Sequence, residues 1–83
     1  MSFYVSYVQS AQDELAAIWI SAADRDAVTK ASHRIDRLLQ SQPLSVGEDL
    51  GSYRKLHEPP LEVVYTASPA DCLVLVWRVA YSP

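Results

Sequence analysis

The chain has 83 residues, of which 49% are apolar and only two are glycine, and it carries a net charge of −3. That composition suits one small domain in which every apolar element shares a single core, and it argues against disorder. The shortage of positive charge argues against general nucleic-acid affinity, because phosphate neutralisation supplies most non-specific binding. Any anion site must be local: residues 1–50 hold four basic and seven acidic side chains, and residues 51–83 hold three of each. No apolar run reaches the ~18–20 residues needed to cross a bilayer. MSFYVSYVQS lacks a basic leader and a cleavage site, so export is not expected. Cys72 is the only cysteine, which fits the cytoplasm. With His33 and His57 it is too scattered for zinc, so neither a metal nor a cofactor is expected.

SFYVSYV, residues 2–8, alternates and is rich in aromatic and β-branched types, which predicts a strand with Phe3, Val5 and Tyr7 on one face. Ser10 and Asp13 stand at capping-box spacing and predict a helix start near Ala11. Ala11, Leu15, Ile18, Trp19 and Ala22 then recur at helical spacing. Asp24 suits the N-cap of a second helix, with Val28, Ala31, Ile35, Leu38 and Leu39 on its apolar side. Lys30, Arg34 and Arg37 lie opposite, as a solvated face diluted by Asp26 and Asp36. Pro43 stops that helix, and QSQPLSVGEDLGS reads as a loop.

Three strands are predicted after it, over 53–58, 61–67 and 72–80, with turns at Pro59-Pro60 and at SPAD. CLVLVWRVA is almost continuously apolar and reads as a central strand covered on both faces. Trp19 and Trp77 are expected as core anchors. The predicted fold is α+β, in the order β-α-α-β-β-β: a two-helix hairpin on a mainly antiparallel four-stranded sheet, as a single domain over 1–83.

That order, with Tyr7 and Val8 running into Ala11 through Leu15, IW at 18–19, ID..L at 35–39, YRKL at 53–56 and PLEVVYTASPADCLVLVWRV at 60–79, resembles the RelE/ParE superfamily of bacterial toxins. The resemblance implies the toxin component of a toxin–antitoxin system, neutralised by an antitoxin whose helical or extended tail wraps it. RelE-type members cut ribosome-bound mRNA without metal; ParE-type members act on DNA gyrase. In the RNA reaction the ribose 2′-oxygen attacks the adjacent phosphate, so cations must position the backbone and offset the developing charge.

The resemblance therefore marks Arg54, Arg78, Tyr81 and His57 as catalytic candidates and Lys55 and Tyr53 as substrate-binding candidates. Each also has a plain structural reading. Lys55 could protect a strand edge; His57 precedes a turn; Arg78 sits in an apolar strand and needs Glu62, Glu58 or a partner to pair with. Glu62 stands where RelE-type enzymes carry an arginine, and a carboxylate there repels a phosphate. The alternative reading is thus a non-catalytic module of the same fold that acts by protein contact, on gyrase or with an antitoxin only.

Overall fold

A computed structural model describes residues 2–83. The elements are β1 (Tyr4–Tyr7), α1 (Gln9–Ser21), α2 (Arg25–Ser41), β2 (Glu48–Asp49), β3 (Arg54–Glu58), β4 (Leu61–Ser68) and β5 (Leu73–Tyr81). They form one five-stranded sheet in the order β1-β5-β4-β3-β2, antiparallel except that β1 runs parallel to β5. The α+β class and the two-helix layer are as expected; the strand count is five rather than four.

The extra strand, β2, lies in the stretch read as a loop. Its two residues, Glu48 and Asp49, carry no apolar signal. The chain reaches β3 because Gly47 holds φ at +71°, and a Cβ there would run into the Lys55 carbonyl. Only glycine accepts that conformation and that approach together. Pro43 is buried, and the Tyr65 hydroxyl below it shares its proton between the Pro43 carbonyl (2.8 Å) and the Val46 carbonyl (3.1 Å). Burial raises the Tyr65 phenol pKa, and the neighbouring Arg54 guanidinium partly opposes that rise.

Apolar periodicity decides which faces pack. Val28, Ala31, Ile35 and Leu39 of α2 are buried, as their spacing predicts, in one core with Leu61, Val63 and Tyr65 of β4 and Val74, Val76 and Val79 of β5. Asp24 caps α2 by accepting from the Ala27 N–H. The helix α1 departs from expectation. It begins at Gln9 after an N-cap at Val8 that makes no side-chain bond, so Ser10 is not the cap. Gln9 instead donates to Asp13 within the first turn.

Both tryptophans correct the core assignment. Trp19 and Trp77 are each 44% exposed, and their indole N–H groups donate to the hydroxyls of Thr29 and Thr66. Arg25 stacks its guanidinium 4.9 Å from the Trp19 ring centre, a cation–π contact.

The strand β5 is covered on one face only. Val74, Val76 and Val79 are buried while Trp77, Arg78 and Ala80 are exposed. Strict alternation would have set Arg78 beside Val74 and Val76 in the core. The ladder avoids this with a bulge: Val64 faces Arg78 but Tyr65 faces Val76, which leaves Trp77 as the extra residue. The bulge reverses the phase of the strand, turning Arg78 outward and Val79 inward. One face of the sheet thus stays open, and the bulge decides what it shows.

Candidate functional site

The open face is built from alternate residues of the sheet. Registers put Glu48, Lys55, Val64 and Arg78 in one row across β2, β3, β4 and β5. His57, Glu62 and Ala80 form the next row. With strands ~4.8 Å apart, Lys55 and Arg78 emerge roughly 10 Å from each other on either side of Val64. Lys55, His57 and Arg78 are therefore brought onto one surface.

The other candidates are elsewhere. Arg54 has the facing of Leu56, toward the helices, and its side chain is only 17% exposed. Its Nε and Nη2 both donate to the Val46 carbonyl, at 3.2 and 2.9 Å, and Nη1 lies 3.5 Å from the Asp49 carboxylate. Every arm of this guanidinium is engaged in tying the 43–51 segment to β3. Tyr81 is exposed but lies opposite Leu61, in phase with the core row of β5. Tyr53 is exposed just ahead of β3, its carbonyl accepting from the Leu50 N–H. Arg54, Arg78 and Tyr81 do not converge.

The cations of the open face are paired. Lys55 Nζ is 3.5 Å from Glu62 Oε1 on the neighbouring strand. Arg78 does not reach Glu62 or Glu58; its Nε donates to Glu14 Oε2 of α1 at 3.0 Å. Glu14 Oε1 accepts the Val79 N–H at 2.9 Å. The strand β1 ends at Tyr7 opposite Val76, so β5 has a bare edge beyond that point, and the Glu14 carboxylate closes it. Sequence reasoning missed Glu14, whose partners are 64 and 65 residues away. Glu58 instead binds Arg34 of α2.

His57 Nε2 lies 2.7 Å from the Ser82 carbonyl. A carbonyl only accepts, so Nε2 carries the proton and Nδ1 alone remains to take one. Among the described residues no group of three or more His, Cys, Asp or Glu side chains is placed to hold a metal ion.

A concavity of about 730 Å³ lies off this face, between the two helices and β1. Leu15, Trp19 and Val28 line it, with Tyr7 at its side. The Tyr7 hydroxyl donates to Asp36 at 2.7 Å, and burial, then that bond, push its pKa well above the usual phenol range. No Lys or Arg is among its lining residues, so for a phosphate this groove is a weaker site than the open face.

No protein-family model and no curated protein matches the sequence. Solved structures do. The chain superposes on a chain of the RelBE2 toxin–antitoxin complex of Mycobacterium tuberculosis with a TM-score of 0.81, at 15% identity, over 98% of this chain and 92% of that one. The fold is that of the RelE/ParE toxins. A chain of the chromosomal ParDE system of P. aeruginosa gives 0.72 at 14% identity, over 99% and 98%. The isolated E. coli RelE toxin gives 0.69 at 15%, over 100% and 86%. The RelE/ParE fold thus extends over nearly all of this chain, and Lys55, His57 and Arg78 lie on its open sheet face.

Proposed function

We propose that the protein is the toxin-type member of a toxin–antitoxin pair, working in the cytoplasm, and that its open sheet face binds another protein. The cognate antitoxin is the first partner, and DNA gyrase is the class of target that a contact mechanism allows. One observation carries this choice over RNA cleavage: each cation on the open face already has a carboxylate, Lys55 with Glu62 and Arg78 with Glu14. Exposed Trp77 beside these neutralised pairs gives the mix of apolar and polar groups that protein interfaces use.

A second reading rests on the row through Lys55, Val64 and Arg78, with His57 one row away. Two cations on either side of a phosphate, and a histidine near the 2′-oxygen, would support ribosome-dependent, metal-free mRNA cleavage.

Induced expression separates the two. The unmodified protein and a Lys55→Ala, Arg78→Ala variant are compared for growth and, independently, for mRNA cleavage. Growth arrest without RNA cuts is expected. RNA cuts that vanish in the variant would move the assignment to the nuclease, and unimpaired growth would remove the toxin assignment.

A further inference from the structure

We infer that Glu14 and Glu62 act as specificity determinants, internal carboxylates that occupy the two open-face cations and keep nucleic-acid phosphodiesters off the sheet. The inference rests on reading the open face as the working surface and adds what that surface rejects.

Glu14 is placed for this role. Its two oxygens bind Arg78 Nε and the Val79 N–H, at 3.0 and 2.9 Å, much as two oxygens of a phosphate would. Arg78 itself is 69% exposed in its side chain, so solvent and ligands reach it, while Glu14 is 29% exposed and held from behind by α1. An incoming phosphate therefore meets a site already filled by an anion of matching geometry that is tethered and cannot diffuse away. Glu62 does the same for Lys55 from the adjacent strand, with 29% and 38% exposure. The two pairs flank Val64, so one phosphodiester chain crossing the row would meet both carboxylates. Removing a carboxylate's charge both frees a cation and lifts a repulsion.

The test is an anisotropy titration of a labelled single-stranded oligouridylate of roughly a dozen nucleotides. Unmodified protein is compared with Glu14→Gln, Glu62→Gln and the double variant. Glutamine at 14 keeps a carbonyl oxygen for the Val79 N–H, and melting curves report whether each variant folds; Glu62→Gln carries the test if Glu14→Gln does not. Each single change should tighten binding roughly fivefold at low salt, and the pair by more than tenfold. The slope of log affinity against log salt should steepen by about 0.7 for each phosphate newly contacted. Arg78→Ala in the Glu14→Gln background should cancel that gain. Asp26→Asn, which removes one charge and frees Lys30 on α2, should leave binding unchanged.

Unchanged affinity and slope in the folded variants would overturn the inference. So would an equal gain from Asp26→Asn, or tight binding by the unmodified protein. The assay requires neither toxicity nor an antitoxin, so the proposed contact function and this exclusion can fail separately.

Discussion

Arg54→Met is the sharpest test of how the sheet is assembled. The substitution keeps a long apolar stem but removes the guanidinium that donates twice to the Val46 carbonyl and faces Asp49. Hydrogen bonds from a charged donor contribute ~1.5–3 kcal/mol. Both donors share one acceptor, and the Tyr65 hydroxyl still reaches that oxygen, so the lower part of the range applies. The expected loss is about 2 kcal/mol, a drop in Tm of roughly 10 °C for a domain this size. Urea unfolding followed by tryptophan fluorescence measures it, with a lower midpoint and an unchanged m-value. Tyr65→Phe should cost a comparable amount, and the double variant should depart from additivity because both groups serve the same carbonyl. A loss below ~0.5 kcal/mol for Arg54→Met would refute the argument, leaving Arg54 a group held ready for something outside the protein.

Two further outcomes follow from other parts of the fold. Gly47→Ala should cost roughly 3 kcal/mol or prevent folding, because both its positive φ and the Lys55 carbonyl oppose a side chain. Gly51→Ala, at φ +99° but with open space around it, should cost only about 1 kcal/mol, as read by the same urea titrations. Tyr7→Phe should lose about 1 kcal/mol at pH 8, where the bond to Asp36 is present. The folded Tyr7 pKa lies above its unfolded value near 10, so its contribution is complete below pH 10 and declines as the unfolded phenol ionises. Between pH 8 and 11 the unmodified protein should lose about 1.4 kcal/mol that Tyr7→Phe does not lose, enough to erase the gap, and a constant gap would contradict the assigned cause.

Period and turn chemistry made most of the architecture legible. Alternation in SFYVSYV, the stripe on α2 and the Pro59-Pro60 and SPAD turns each led to an element that exists. What escaped depends on contacts between distant residues. Glu48–Asp49 became a strand because Gly47 lets the chain touch β3, which two acidic residues do not announce. Arg54 reads as an exposed cation until a carbonyl eight residues earlier is seen to claim it. Glu14 lies next to Leu15 in an ordinary helical pattern, and only the bare edge of β5 gives it a task. The bulge did leave a trace: Arg78 shares the parity of Val74 and Val76, and an arginine in phase with a core row signals a break in alternation.

The parallel pairing of β1 with β5 orders events during synthesis. Residues 4–7 are made well before residues 73–76, their hydrogen-bonding neighbour. A helix hairpin and the β3–β4 pair have local partners and can form while the chain grows; the opening strand has none. Its Tyr-Val-Ser-Tyr backbone waits uncovered until β5 has been made, and that interval is when the nascent protein is most open to capture by a chaperone, a protease or another sticky chain.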